Sequence, residues 1–371
     1  MITNMFLSIW GHVSYFLNDF KVFLVILIVS FILLLLLISK IFKSNRSDLA
    51  KKILMVFVFS AFLFVLIYSG FEAYFRYRYD QSDGLGFLNT NVRWQARHVV
   101  FNNYQFRDRD FSIAKDPKTV RIGVIGDSLA MGYGIKNVDD RFSNLLEEKL
   151  KDKGLKAEVY NIGTSGMDTC SEIPQFEKYK QLNFDLMVWE YYPNDIQPCG
   201  ASTGAKIITK QFSDVNPIVE FLSNQSFLFD YLYWRLTPTY SLTFRDLRLA
   251  DLAQFTNQKS VDRHKKDLAT FSTVLQDNTT THKVVVIVFP FLFLLNKNYQ
   301  AIGVHNMLDK YLKEQNNIVI DMTPKLINIH NKKLMVNRFD SHPNEYVNSI
   351  AANALYDKIE PLVASLSATR K

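Results

Sequence analysis

The chain has 371 residues, enough for one large domain with appendages, and 48% of them are hydrophobic. That fraction excludes an intrinsically disordered protein. The formal net charge of +7 comes partly from lysines that flank apolar segments. Because the sequence has no nucleic-acid motif and no basic stripe with interleaved aromatic residues, the charge does not indicate a nucleic-acid partner.

Two long apolar segments lie near the amino terminus. Residues 22–38 are interrupted only by Ser30, and residues 53–71 carry no charged side chain. Each segment approaches the roughly 20 residues that cross a bilayer. The alternative for the first segment is a cleavable signal peptide, but its apolar part exceeds the usual ~7–15 residues and no small-residue cleavage site follows it. The sequence therefore predicts a membrane anchor over residues 1–79, with transmembrane helices at about 22–41 and 53–75.

The loop between the two predicted spans carries five basic residues and one acidic residue, Asp48. The basic residues are Lys40, Lys43, Arg46, Lys51 and Lys52. Short basic loops stay in the cytoplasm, so both chain ends are expected on the outer side of the membrane. Residues 1–21 mix aromatic and polar positions, which is compatible with an interfacial helix on that side.

The rest of the chain alternates apolar runs with helical patterns. Five runs read as buried strands, at residues 120–125, 159–162, 184–189, 284–289 and 318–321. This alternation predicts a parallel sheet with helices on both faces, over residues 119–371. Residues 80–118 form a polar connecting segment. An aromatic-rich insertion at about 196–277 is interpreted as additional core, a lid or a surface for a membrane partner.

Polar residues follow three of these strands at the sheet edge where functional loops gather. The first strand ends in Gly126-Asp127-Ser128, and Gly166 and Asn194 follow the next two. A strand-to-helix turn with a capping side chain would explain Ser128 equally well. A serine nucleophile needs a base and a carboxylate, which His342 and Asp340 can provide. The backbone N–H groups of Ser128 and Gly166 and the side-chain amide of Asn194 can stabilise an oxyanion.

Together these residues resemble the motif blocks of the SGNH (GDSL-type) hydrolase family. The four blocks occur in family order, as residues 126–129, 161–166, 194–195 and 340–342. The resemblance implies a flavodoxin-like three-layer α/β/α fold with a parallel five-stranded sheet, preceded here by the two transmembrane helices. It also implies Ser128 as nucleophile, His342 as base, Asp340 as its partner, and an oxyanion hole of Ser128, Gly166 and Asn194. No cofactor and no metal are expected.

Two positions depart from the family pattern. Tyr192 stands where the third block usually has glycine, and a ring there would narrow the pocket. The acid and base are spaced Asp-x-His rather than Asp-x-x-His, which moves the carboxylate by one residue. Asp340 remains the first candidate for the acid, with Asp321 as the alternative if the geometry excludes it.

The resemblance suggests a role for the two cysteines. Cys170 and Cys199 follow the second and third blocks, whose strand ends are expected to converge. A disulfide between them is permitted outside the cytoplasm and would brace the Gly166 and Asn194 loops. The alternative is that both are unpaired small hydrophobic residues.

The resemblance favours a membrane-anchored serine esterase or deacetylase, or an O-acyltransferase, acting on ester-linked acyl groups of glycans or lipids. Membrane-tethered SGNH proteins of alginate acetylation and teichoic-acid D-alanylation have a similar arrangement and work beside a membrane-bound O-acyltransferase. The expected location is a bacterial cytoplasmic membrane, with the catalytic domain in the periplasm or outside the cell. The alternative function is a non-catalytic carbohydrate- or partner-binding module on the same fold.

Overall fold

The structure is a computed structural model that describes residues 25–199 and 215–370. The interfacial helix expected in residues 1–21 lies outside the described residues. So do residues 22–24 of the first expected span and residues 200–214 of the expected insertion.

The described chain forms two compact units. One contains the described parts of Met1–Asp80 and Pro217–Tyr233, and the other those of Gln81–Asn216 and Trp234–Lys371. This division differs from the expected domains at two places. Residues 81–118 belong to the unit that holds the sheet, and residues 217–233 of the expected insertion belong to the unit of the apolar helices.

The first unit begins with two apolar helices that are long enough to cross a membrane. They are α1, Val25–Phe42, and α2, Asp48–Ala73, which continues as a π-helix over Tyr74–Arg78. Helix α2 begins five residues before the expected span because the Ser47 side chain caps it, accepting a hydrogen bond from the Ala50 N–H at 3.4 Å. Few of the side chains in either helix are buried within the protein.

This unit also contains α7 (Pro217–Gln225) and the first seven residues of α8 (Phe227–Leu236), and both helices are fastened to the end of α2. The carboxylate of Glu72 accepts hydrogen bonds from the Phe227 and Leu228 N–H groups, both at 2.9 Å. Arg76 donates to the same carboxylate at 3.1 Å. A carboxylate at a helix N-terminus compensates the unpaired N–H groups and the helix dipole, so the start of α8 is held by α2.

The second unit is built on a parallel five-stranded sheet with the order β2-β1-β3-β4-β5. The strands are β1 Val120–Ile125, β2 Ala157–Asn161, β3 Leu186–Tyr191, β4 Val284–Val288 and β5 Ile318–Asp321. All five occur where apolar runs predicted them, with ends that differ by at most two residues. This strand order is that of flavodoxin-like folds.

Helices cover both faces of the sheet, as expected. One layer holds α5 (Phe142–Asp152) and α13 (Glu345–Thr369). The other layer holds α6 (Thr169–Tyr179), α10 (Gln258–Asp277) and α11 (Ile302–Glu314). Strand side chains alternate between the two layers, so Val124 packs in the first and Ile125 in the second. The three-layer α/β/α sandwich is therefore confirmed.

The expected insertion at 196–277 is shorter than predicted. Helix α10 packs Leu268, Phe271 and Leu275 against the sheet, so it is the crossover helix between β3 and β4. What remains in the sheet-containing unit is mainly α9, Thr239–Gln254. Its aromatic residues Tyr240 and Phe244 are buried with Trp234, as core packing requires.

The described chain also contains three short α-helices and a small hairpin. The helices are α3 Asn89–His98, α4 Ser128–Met131 and α12 Thr323–Leu326. The hairpin consists of β6, Met335–Asn337, and β7, Asp340–Pro343, which pair antiparallel. His342, the expected base, lies within β7.

Candidate active site

Ser128 lies directly after β1, at the carboxyl edge of the sheet. It is the first residue of α4, whose N-cap Asp127 accepts a hydrogen bond from the Leu129 N–H at 2.7 Å. The helix ends after one turn at Gly132, which adopts a left-handed conformation with φ 73°. The short turn leaves the Ser128 side chain facing a cavity of about 380 Å³.

The side chains of Ser128, His342 and Asp340 form one hydrogen-bonded chain. His342 Nε2 lies 2.8 Å from Ser128 Oγ, and His342 Nδ1 lies 2.5 Å from Asp340 Oδ1. The Asp340 carboxylate also accepts a hydrogen bond from the His342 backbone N–H at 3.1 Å. With Nδ1–H donated to the carboxylate, Nε2 is free to accept a proton from the serine hydroxyl.

The unusual Asp-x-His spacing fits because both residues lie on a strand. Side chains two residues apart on a strand point to the same side, so Asp340 and His342 face each other directly. The alternative acid, Asp321, is engaged elsewhere. It accepts a hydrogen bond from His305 Nδ1 at 3.0 Å at the end of β5.

The charges of Asp340 and His342 shift each other's pKa. Burial raises the pKa of the Asp340 carboxyl, but the His342 charge and hydrogen bonds from His342 and Ser82 outweigh it and hold the pKa below the ordinary value. Burial lowers the pKa of His342, but the Asp340 carboxylate outweighs it and the net pKa is raised. The pair therefore favours an imidazolium beside a carboxylate, the state that follows proton transfer from serine.

The other expected oxyanion-hole residues line the same cavity as Ser128. Gly166 follows β2 and Asn194 follows β3, so their loops converge because parallel strands end at one edge. Gly166 has φ 82°, a conformation that favours glycine. Asn194 lies in the single helical turn Pro193–Ile196.

The buried carboxyl of Glu190 holds the turn that carries Ser128. It was not identified from the sequence. Its Oε2 accepts hydrogen bonds from the Asp127 N–H at 3.1 Å and the Ala130 N–H at 3.3 Å. A side chain at Gly126 would approach this oxygen within 2.5 Å, so glycine leaves room for it. An acid in the middle of the apolar strand β3 was the signal that could have identified it.

Glu190 belongs to a group of four buried carboxyls beside the site. The others are Asp127, Glu172 and Asp195. Burial raises the pKa of all four, and mutual repulsion raises those of Glu172, Glu190 and Asp195 further. Protonated carboxyls can donate as well as accept hydrogen bonds, which suits a network that holds backbone groups in place.

The segment expected to connect the domains forms one wall of the cavity. Asp83, Gly84, Asn91 and Gln95 line it. Burial raises the pKa of Asp83 to about 7, although the Leu85 and Leu88 N–H groups donate to its carboxyl at 2.8 and 2.6 Å. This wall makes the cavity polar on the side that faces His342.

Tyr192, which stands where the family pattern usually has glycine, also lines the cavity. Its ring is buried and packs edge-on against Phe291, with ring centroids 5.0 Å apart. Arg248 of α9 extends over both rings and lines the cavity with Tyr192. The ring thus supports an arginine that the sequence analysis did not identify.

A disulfide joins Cys170 and Cys199, whose Cα atoms lie 5.5 Å apart. It ties the start of α6, in the loop that carries Gly166, to the chain after Asn194. Asp168 lies within 4.8 Å of both sulfur atoms. Because disulfide sulfurs are not thiolates, these three residues do not form a metal site in this state.

No family model matches the chain, and no curated protein matches it. Among solved structures, the lipase/acylhydrolase from Enterococcus faecalis is 15% identical with a TM-score of 0.40, covering 66% of this chain and 97% of that one. A two-domain esterase active on acetylated mannans is 11% identical with a TM-score of 0.39, covering 66% and 50%. TesA is 14% identical with a TM-score of 0.38, covering 65% and 99%. These similarities are too low to transfer an activity to this chain.

The fold agrees with what the sequence resemblance implied. The sheet has the expected flavodoxin-like order, and the motif blocks lie beside one cavity at its carboxyl edge. The flavodoxin-like fold that the resemblance implied is therefore confirmed.

Proposed function

We propose that this chain is a membrane-anchored serine ester hydrolase or O-acyltransferase of the SGNH type, with Ser128 as nucleophile, His342 as base and Asp340 as its orienting acid. The observation that carries the proposal is the Ser128–His342–Asp340 hydrogen-bond chain at 2.8 and 2.5 Å. The polar lining of the cavity supports a small acyl group on a polar carrier over a long-chain lipid.

The proposed reaction begins with acyl transfer to the enzyme. Ser128 Oγ attacks the ester carbonyl carbon while His342 Nε2 takes the hydroxyl proton. The developing oxyanion receives hydrogen bonds from the Ser128 and Gly166 N–H groups and the Asn194 amide. The C–O bond to the alcohol then breaks, the alcohol leaves with the proton from Nε2, and the acyl group remains on Ser128.

A second nucleophile completes the cycle. Its O–H proton passes to His342 Nε2 as its oxygen attacks the acyl carbon, and Ser128 recovers its proton when the bond to Oγ breaks. Water as this nucleophile makes the protein an esterase or deacetylase. A sugar hydroxyl makes it an O-acyltransferase.

The apolar helices α1 and α2 support attachment to the bilayer of a bacterial cytoplasmic membrane. The basic loop between them favours the cytoplasmic side for that loop and the outer side for the catalytic unit. An ester-bearing glycan or lipid on the outer side is the proposed substrate, and a membrane-bound O-acyltransferase is a proposed partner that would deliver acyl groups.

The test is turnover of 4-nitrophenyl acetate by the detergent-purified full-length protein, followed by mass spectrometry of the quenched enzyme. We expect Ser128→Ala and His342→Ala to reduce turnover by about 10³-fold or more. His330→Ala, which changes an exposed histidine outside the site, serves as the matched control. A stable acetyl group on Ser128 with slow turnover would indicate a transferase that awaits its acceptor.

The binding-module alternative predicts the opposite result. Neither turnover nor an acetyl adduct would be observed, and a fluorophosphonate probe would leave Ser128 unlabelled. That combination would overturn the catalytic proposal.

A further inference from the structure

Helix α9 brings a cation into the cavity that contains the proposed nucleophile. Arg248 lines this cavity together with Ser128, His342 and Asn194. Its side chain is 15% exposed. The helix belongs to the insertion between β3 and β4, for which the sequence analysis left the function open.

The guanidinium is held in a fixed position by aromatic rings. Its Cζ lies 5.4 Å from the centroid of the Tyr192 ring and 5.2 Å from that of Phe291. Arginine stacks on aromatic faces without losing its N–H donors, so the rings orient it and leave its edge available. The tyrosine that replaces the usual glycine at position 192 therefore has a structural purpose.

Burial lowers the pKa of Arg248, but Asp251 and Tyr192 outweigh it, so the residue is a cation whose pKa is raised. Its Nη1 lies 3.5 Å from Asp251 Oδ2, beyond an ordinary hydrogen bond, while Asp251 Oδ1 accepts a hydrogen bond from Gln197 at 2.8 Å. Among the residues that the structure describes, the Arg248 Nε–H has no acceptor. A ligand in the cavity would meet the exposed part of the Arg248 side chain, which lines it.

Two carboxyl groups line the same cavity as Arg248. They are Asp83 and Asp127. Burial raises the pKa of Asp83 to about 7 and also raises that of Asp127. Both accept hydrogen bonds from nearby backbone N–H groups, Asp83 from Leu88 and Asp127 from Leu129.

We propose that Arg248 binds an anionic group, a carboxylate or a phosphate, on the molecule whose ester or hydroxyl reacts at Ser128. Guanidinium pairs with either group through charge-assisted and often bidentate hydrogen bonds. The inference rests on the proposed function for the position of the reacting group. It narrows the substrate class to acidic glycans or phosphate-bearing carriers.

The first test is competition against 4-nitrophenyl acetate turnover with paired probes. Glucuronate is compared with glucose, and glycerol 3-phosphate with glycerol, which separates the carboxylate from the phosphate source. We expect the inhibition constant of at least one anion to be lower than that of its neutral partner by about tenfold or more. In Arg248→Gln this preference should disappear, and in Arg248→Lys it should be partly retained.

The control is Arg245→Gln, one turn earlier on the same helix, where the side chain is 53% exposed and pairs with Asp246. It should keep the wild-type preference. The inference is overturned if wild-type protein does not distinguish anionic from neutral probes, or if Arg248→Gln distinguishes them equally well. A purely structural role for Arg248 would weaken all four probes alike.

A second measurement separates this inference from the proposed function. The same probes are titrated against Ser128→Ala protein, with and without Arg248→Gln, and the thermal unfolding midpoint is followed. Stabilisation by an anion that requires Arg248 supports the subsite even if no ester is hydrolysed. Stabilisation that is independent of Arg248 overturns it even if the esterase activity is present.

Discussion

At the residue scale, the proposed site is a row of hydrogen-bonded groups, and the pKa of His342 and of Asp340 is set by their neighbours. His342 is the group whose protonation should control activity, because only the neutral imidazole can accept the Ser128 proton. Its pKa is raised by the Asp340 carboxylate against the effect of burial. The pH dependence of turnover therefore reports on this contact.

We expect kcat/KM for 4-nitrophenyl acetate to rise with pH, with a midpoint above 6.5, the ordinary pKa of histidine. In Asp340→Asn the charge that raises the pKa is lost, so the midpoint should move to lower pH while the rate falls by about 10³–10⁴-fold. Asp321→Asn, on the carboxyl that pairs with His305, is the matched control and should leave the midpoint in place. A midpoint that does not move in Asp340→Asn would contradict the assigned pairing.

Glu190 gives a second prediction at this scale. Glu190→Ala removes the acceptor of two buried N–H groups beneath Ser128, and each unpaired donor costs about 1–3 kcal/mol. We expect a loss of about 2–6 kcal/mol in the free energy of unfolding, with a lower kcat.

The comparison for this variant is Glu190→Gln, which has a similar shape and keeps an oxygen acceptor without a titrating proton. It should retain most of the stability, measured by chemical denaturation of both variants. If the two variants lose equal stability, the hydrogen bonds to the turn are not the reason that an acid lies here.

At the scale of elements, the loops after β2 and β3 carry Gly166 and Asn194, and the disulfide links them through Cys170 and Cys199. The bond closes a loop with a sequence separation of 29 residues. In the chain-entropy account, such a closure contributes about 3–4 kcal/mol to stability. It should also keep Gly166 and Asn194, the two proposed oxyanion donors, at a fixed separation.

We expect the double substitution Cys170→Ser with Cys199→Ser to lower the free energy of unfolding by about 3–4 kcal/mol and to reduce kcat more than it raises KM. Denaturation and steady-state kinetics on the full-length protein would measure both effects. Two reactive thiols found by mass spectrometry of the untreated protein would show instead that the cysteines are unpaired when the protein is isolated.

At the scale of the whole molecule, the two units differ in where their apolar side chains lie. Helices α1 and α2 present apolar side chains on their outer surfaces, which is unfavourable in water and favourable in lipid. The sheet-containing unit buries its apolar residues in two layers and exposes a polar cavity. This distribution is consistent with the proposed membrane anchor and with the proposed catalytic role of the sheet-containing unit.

The proposed orientation predicts the behaviour of reporters fused after Lys371. Alkaline phosphatase, which folds only outside the cytoplasm, should be active there, and a green fluorescent protein should remain dark. Replacing the five basic residues of the loop between α1 and α2 by glutamine should weaken this asymmetry. Bright fluorescence from the unmodified fusion would place the catalytic unit inside the cell.

The sequence by itself determined the features that depend on local pattern. Apolar runs predicted the two helices and all five strands, since hydrophobic periodicity is a property of neighbouring residues. Gly126-Asp127-Ser128 and the order of the motif blocks predicted which side chains meet at the sheet edge. The strand ends were close because apolar runs end where the chain leaves the core.

Tertiary structure decided what depends on distant residues. The choice of Asp340 over Asp321 followed from the β6–β7 hairpin, which the sequence analysis missed because three- and four-residue strands have almost no periodicity. The division of the insertion between the two units depended on the contact of Glu72 with Phe227 and Leu228, more than 150 positions away. Arg248 became recognisable only when folding placed it in the cavity with Ser128, because a contact in three dimensions leaves no spacing rule in the sequence. Glu190 stands out in the sequence as an acid within an apolar strand, but its hydrogen bonds to the Ser128 turn needed the structure.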